Sequence, residues 1–235
     1  MHNLMLDVNV MKNEHSDKME ELFETWKGRY PVEQRAGFHK DGVIEVESYL
    51  REPRKILFVM LEPNSTDGAY DHFFGQDLRY VYGQITPVKG LTRNVALWAR
   101  AILDGNDQYV VLGKKEIRTQ LRRVAIINLK KTSGTGKANL ERISIFAWND
   151  REFIKKQVGI ISPDIIVTCG ESSNKIFWWI VQNNLFSNPS DKTYIFNDMH
   201  VIPANHPSLR PRKNEEMALK KVSIMAREAG LQIGT

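Results

Sequence analysis

Four short segments hold the side chains of this sequence that could do chemistry. The first is Leu61-Glu62-Pro63-Asn64-Ser65. A carboxylate stiffened by the following proline can polarise a water or face a developing cation; it can equally cap a helix or pair with an arginine. The second runs Asn128-Leu129-Lys130-Lys131-Thr132-Ser133-Gly134. Its asparagine offers a donor and an acceptor, enough to read the edge of a base or to satisfy backbone groups. The lysines beside a Gly/Ser/Thr turn suit phosphates or a solvated basic turn. The third is Cys169-Gly170-Glu171-Ser172, with the only cysteine of the chain. The last, Asn205-His206-Pro207-Ser208-Leu209-Arg210-Pro211-Arg212, puts an imidazole on a stiff loop and an apolar side chain among cations, as a DNA-intercalating wedge requires and as a surface loop with incidental charge also offers.

Several familiar sites are excluded by single residues. A phosphate-binding P-loop fails because Lys131 stands in place of the first glycine and Ala138 in place of Ser/Thr, and Asn139 breaks a dinucleotide fingerprint. The serine elbow needs a glycine where Asn174 stands. One cysteine rules out an intrachain disulfide and an all-cysteine metal site. Spacing among the other five histidines gives no metal-ligand pattern.

The elements that must position these segments are legible as periodicity. Ile56–Met60, Val124–Ile127 and Ile165–Cys169 are short unbroken apolar runs, the pattern of strands buried on both faces of a parallel sheet. Val201-Ile202 forms a fourth strand after the strand-like Tyr194–Phe196. Helices are expected over Leu91–Leu103, Arg151–Ile161, Ser172–Leu185 and Asn214–Glu228, the last capped by Asn214. Residues 1–14 read as a loose tail. Ser16 would cap a helix with Met19, Leu22, Phe23 and Trp26 on one face, closed by Pro31 and Gly37. Gly42–Leu50 alternates like an edge strand or hairpin arm. Alternating strands and helices give the expected class: an α/β, three-layer α/β/α sandwich on a central, mainly parallel four-stranded sheet. Residues 1–50 are expected to be an extension packed on a core domain of residues 51–235. Ligands of such sheets bind beyond the carboxyl ends of the strands, where all four segments fall.

Composition is that of a globular protein: 235 residues, 42% hydrophobic, 26% charged, net charge +5. The basic excess permits an acidic partner. The most apolar stretch, Ile176–Val181, is far short of the ~18 residues a bilayer needs. With no secretory leader pattern, a reducing, cytoplasmic setting is expected.

Taken together and in order, the segments resemble the uracil-DNA glycosylase superfamily. The residues that carry the resemblance are Met60-Leu61-Glu62-Pro63, Ile126-Ile127-Asn128-Leu129-Lys130-Lys131, Pro163-Asp164-Ile165-Ile166-Val167-Thr168-Cys169-Gly170 and Asn205-His206-Pro207-Ser208. Their order and spacing match over about residues 52–228, and the likeness is closest to the branch with Asn-x-x-Lys after the second strand. Many members of that branch hold an iron–sulfur cluster, which one cysteine cannot ligate. The chain departs from the family at Met60, where a glycine is usual, at Glu62 and at Asn64.

The resemblance implies a DNA glycosylase that cleaves the N-glycosidic bond of a flipped base, uracil foremost, without a cofactor or metal and as a monomer on single- or double-stranded DNA. It assigns Glu62 to the attacking water and His206 to the base carbonyl. Asn128 would read the base edge, with Phe74 and Asn64 completing the pocket; Phe73, Tyr80 and Tyr82 are other candidates for the stacking aromatic. Lys131, Ser208, Arg210 and Arg212 would hold phosphates, and Leu209 would fill the gap left in the stack. Two alternatives remain: an inactive nucleic-acid-binding protein of the same fold, and a thiol hydrolase using Cys169 with His206.

Overall fold

The computed structural model describes residues 2–63, 75–85, 90–134, 138–185, 187–208 and 210–231. In chain order the elements are α1 (His2–Gly28), α2 (Val32–Arg35), β1 (Gly42–Val43), α3 (Val46–Arg51), β2 (Ile56–Met60), α4 (Leu78–Tyr80) with a π turn over Val81–Ile85, α5 (Gly90–Leu103), α6 (Lys114–Arg122), β3 (Ala125–Asn128), α7 (Leu140–Asn149), α8 (Arg151–Ile161), β4 (Ile165–Cys169), α9 (Glu171–Gln182), β5 (Tyr194–Phe196), β6 (Met199–Ala204) and α10 (Arg212–Glu228).

The strands form one mixed, six-stranded sheet in the order β1-β3-β2-β4-β6-β5. β3, β2, β4 and β6 run parallel. The expected four-stranded sheet is thus extended on both sides by short antiparallel edge strands, β1 and β5. Every residue of β2 and β4 is buried, and the reason is the alternation of a pleated strand. Ile56, Phe58 and Met60 face a core built with Val95, Trp98 and Ile102 of α5, Leu121 of α6 and Val222 of α10. Leu57 and Val59 face the opposite core, with Phe23 and Trp26 of α1, Ile154 of α8 and Phe177 of α9.

Register brings the carboxyl ends of the parallel strands to one level. Met60 lies opposite Asn128, Val59 opposite Thr168, and Cys169 opposite Ala204. The connection from β2 to β3 carries α5 and α6, which pack on the first core, and that from β4 to β6 carries α9, which packs on the second. Neighbouring strands whose connections diverge open a crevice between them. That crevice, between β2 and β4, is where a ligand site belongs.

Some local expectations are overturned. Residues 2–14 are part of α1 rather than a tail, and Ser16 lies inside that helix, its Oγ donating to the Lys12 carbonyl at 2.8 Å. Only Gly42–Val43 of the expected Gly42–Leu50 strand or hairpin arm pairs into the sheet. Val46, Tyr49 and Leu50 also have helical i, i+3, i+4 spacing, and α3 uses it to bury Tyr49. α10 starts at Arg212, so Asn214 is inside it, with Nδ2 on the Arg210 carbonyl at 3.0 Å. α9 stops at Gln182 because Asn183 takes a left-handed conformation, φ 51°. Helices α6 and α7 occupy segments for which the sequence reading expects no element. Residues 1–50 supply an edge strand of the sheet and much of the second core.

Candidate functional site

The β2–β3 pairing continues past the strands: Leu129 N–H donates to the Met60 carbonyl and Lys130 N–H to that of Leu61. This extension places the Lys130 side chain against Glu62. Its Nζ lies 2.7 Å from Glu62 Oε2 and also donates to the Thr132 and Ser133 carbonyls, at 2.7 and 3.1 Å. The lysine side chain is 1% exposed and the glutamate 11%. Burial lowers the Lys130 pKa, and the adjacent Glu62 charge opposes that shift. Of the alternatives open for Glu62, an ion pair is realised, with a lysine rather than an arginine.

Gly134 is a spatial requirement of that pair. Its N–H donates to the Pro63 carbonyl at 2.8 Å. A Cβ at this position would fall 2.2 Å from Glu62 Oε1.

Asn128 ends β3 and is 2% exposed. Its backbone N–H and its Nδ2 both donate to Asp41 Oδ2, at 2.8 and 3.2 Å. A carboxylate only accepts when ionised, so the amide nitrogen of Asn128 must face Asp41 and its Oδ1 must turn elsewhere. The other Asp41 oxygen accepts from Lys131 Nζ at 2.6 Å and from Gln157 Nε2 at 2.9 Å. Lys131 also reaches the Asn128 carbonyl and Gln157 Oε1, both at 2.8 Å, and lies 4.9 Å from the Trp26 ring centre.

This corrects the phosphate role expected of Lys131. Its side chain is 0% exposed, beneath the rim, with every donor occupied. Burial lowers its pKa, and the Asp41 charge counters that. Beside it, Tyr30 Oη donates to Asp150 at 2.5 Å. Burial raises the Asp150 pKa while that hydrogen bond opposes the rise.

Across the crevice, the 205–208 turn follows β6. Asn94 of α5 anchors it, Nδ2 donating to the Pro207 carbonyl at 2.7 Å. Ser208 N–H donates to His206 Nδ1 at 3.2 Å. With Nδ1 accepting, the neutral ring carries its proton on Nε2. The residue keeps an exposed edge, yet protein around the ring desolvates it and lowers its pKa. Gly170, at φ +103°, lies against it: a Cβ there would sit 3.5 Å from the His206 Cβ. β2 and β6 are separated by β4 alone, so Glu62 and His206 flank the crevice from strands about 10 Å apart, two inter-strand spacings.

Ser208, Arg210 and Arg212 are exposed. The Arg212 guanidinium stacks on Tyr109 at 4.8 Å and its Nε pairs with Glu216 at 2.7 Å. Among the candidate aromatics, Tyr80 is 60% exposed. Tyr82 packs on the first core, and its pKa is pushed up to about 12 by burial and then by the Asp41 charge. Asn64, Phe73, Phe74 and Leu209 lie outside the described residues.

Cys169 is wholly buried, its Sγ on the Val167 carbonyl at 3.7 Å, and burial pushes the thiol far above its ordinary range. A thiolate nucleophile is therefore unavailable, and the thiol-hydrolase alternative falls. No group of three or more His, Cys, Asp or Glu that could hold a metal occurs among the described residues.

No sequence pattern marks His39, Asp41 or Gln157 as site residues, whereas Ser133 and Gly134 belong to the turn already singled out. His39 and Asp41 precede an edge strand of two residues and carry no motif. Neither a protein-family model nor a curated protein matches the chain.

Proposed function

We propose that the chain is a three-layer α/β/α DNA glycosylase of the uracil-DNA glycosylase type, hydrolysing the N-glycosidic bond of a flipped, deaminated base, with uracil the foremost candidate. The reading takes it to act as a monomer in the cytoplasm. The observation that carries it is the placement of an oriented carboxylate, Glu62, and an Nε2–H donor, His206, on opposite sides of the β2/β4 crevice. Breaking the bond leaves a cationic sugar and an anionic base, and the two groups suit those two charges.

Lys130 engages Glu62 Oε2, leaving Oε1 to orient a water and face the sugar. His206 donates from Nε2 to a base carbonyl as charge develops there. Asn128, its amide nitrogen committed to Asp41, offers Oδ1 to a ring N–H. Uracil carries such an N–H flanked by carbonyls, whereas the corresponding ring nitrogen of cytosine is an acceptor. Ser208, Arg210 and Arg212 hold phosphates, and Leu209 is proposed as the wedge.

A second reading is supported by the Glu62–Lys130 pair itself. A carboxylate held in a nearly dry ion pair can be structural, leaving a DNA-binding protein without hydrolysis. A base-release assay separates the two. Labelled single- and double-stranded oligonucleotides carrying uracil, hypoxanthine, xanthine or a T·G mismatch are incubated with the protein, its Glu62→Gln and its His206→Ala variants. Release from one substrate, reduced about 10²-fold or more in both variants, supports the glycosylase. Salt-sensitive DNA binding without release from any substrate refutes it and leaves the binding protein.

A further inference from the structure

The turn after β3 carries a second arrangement that the glycosylase reading does not use. His39 is 1% exposed, and each ring nitrogen has one partner. Nδ1 lies 3.1 Å from the Gln76 carbonyl oxygen, which can only accept, so the ring proton is on Nδ1. Nε2 is therefore the acceptor, and Ser133 Oγ lies 2.6 Å from it. The hydroxyl proton of Ser133 points at an imidazole lone pair whose tautomer is fixed from the other side. This is the relation of nucleophile, base and orienting group that activates a serine.

Both partners are held by the backbone of one turn. His39 N–H donates to the Lys131 carbonyl at 2.8 Å. Lys130 Nζ clamps the Thr132 and Ser133 carbonyls, and Gly134 N–H is fixed on Pro63. A serine that merely satisfied a buried histidine would gain nothing from solvent access. Ser133 keeps partial exposure, at the same rim as Glu62.

We infer that Ser133 and His39 form a nucleophile–base pair for hydrolysis of a carboxylic ester, an activity distinct from base excision. The charged groups beside Ser133, Glu62 and Lys130, neutralise one another, which suits an uncharged ester. Ser133 Oγ adds to the ester carbonyl carbon as its proton passes to His39 Nε2. The adduct collapses, its C–O bond to the alcohol breaks, and the departing oxygen takes the proton from Nε2. Water, giving a proton to Nε2, then attacks the acyl group on Ser133. That ester bond breaks, the carboxylic acid leaves, and the proton returns to Oγ. Nothing is oxidised or reduced.

The test uses the full chain and a fluorophosphonate probe. Attack of Ser133 Oγ on phosphorus expels fluoride and leaves a stable adduct, located by peptide mass spectrometry. The expected result is an adduct on Ser133 that is absent in Ser133→Ala and forms about 10²-fold or more slowly in His39→Gln, the range for a lost general base. No Ser133 adduct on the folded protein with excess probe, or equal rates with and without His39, overturns the inference.

If His39→Gln does not fold, the pH profile of wild-type labelling decides. His39 faces Asp41, Lys130 and Lys131 as well as the Gln76 carbonyl, and desolvation places its pKa below 6.5. Labelling that rises through one ionisation below pH 6.5 and then levels supports the pair. Labelling proportional to hydroxide from pH 5 to 9 overturns it. Uracil release is read separately, so either activity can fail alone.

Discussion

Replacing Asp41 by asparagine changes one atom and should be among the most costly substitutions in the molecule. The carboxylate accepts four hydrogen bonds: Lys131 and Gln157 on Oδ1, and the Asn128 N–H and Nδ2 on Oδ2. An amide oriented with its oxygen towards Lys131 turns its NH₂ against two Asn128 donors, and each buried donor left unpaired costs about 1–3 kcal/mol. The Lys131 ammonium, with a side chain 0% exposed, then loses its hydrogen-bonded counter-charge and keeps only the Asp150 carboxylate nearby. Removing one partner of a buried pair typically costs about 3–5 kcal/mol, and that is the expected loss here. In urea unfolding with an m-value of about 2 kcal/mol/M, the midpoint should fall by about 1.5–2.5 M. Converting the pair together, Asp41→Leu with Lys131→Met, removes both desolvated charges but leaves the Asn128 donors unpaired, so it should recover only part of that loss. A single Asp41→Asn variant within about 1 kcal/mol of wild type would refute the account of this network.

Three further outcomes are expected. Gly134→Ala should drive the Glu62 carboxylate off Lys130, since the new Cβ would sit 2.2 Å from Oε1; base release, measured as above, should then fall towards the Glu62→Gln level. His39, neutral and desolvated when folded, binds a proton more readily once unfolded. Its contribution is full above about pH 6.5 and is lost as pH falls from there to its folded pKa, by up to about 1.4 kcal/mol per pH unit; urea midpoints at pH 7.5, 6.5 and 5.5 will show it. On the DNA-binding reading, Arg210→Ala and Arg212→Ala should each flatten the plot of log affinity against log salt by about 0.9, as measured by titration with a labelled duplex.

The sheet was readable because each central strand is buried on both faces, and that burial writes an unbroken apolar run such as Ile56–Met60 or Ile165–Cys169. The edges were harder. β1 has two residues and carries no periodicity at all, and the helical and extended readings of Val46–Leu50 share the same apolar positions. At the rim, Glu62, Asn128 and His206 were visible because a strand end or a proline marks each. Their controlling partners were not. Asp41 and Lys131 are 87 and 3 residues from Asn128, yet they act on it together. A lysine within a basic turn also looks the same whether it reaches out to a phosphate, as expected of Lys131, or is sealed against Trp26, as found. Burial is decided by the whole fold, and no local pattern carries it.

The contacts that hold the rim join distant parts of the chain. Glu62 meets Lys130 across 68 residues, Asp41 meets Asn128 across 87, His39 meets Ser133 across 94, and Asn94 meets Pro207 across 113. Each requires a long loop to close before its bond contributes anything, and chains dominated by such pairings fold slowly. No stretch of sequence contains the site in miniature. It exists only when β3, β2, β4 and β6 lie side by side, which ties any chemistry at the crevice to completion of the sheet.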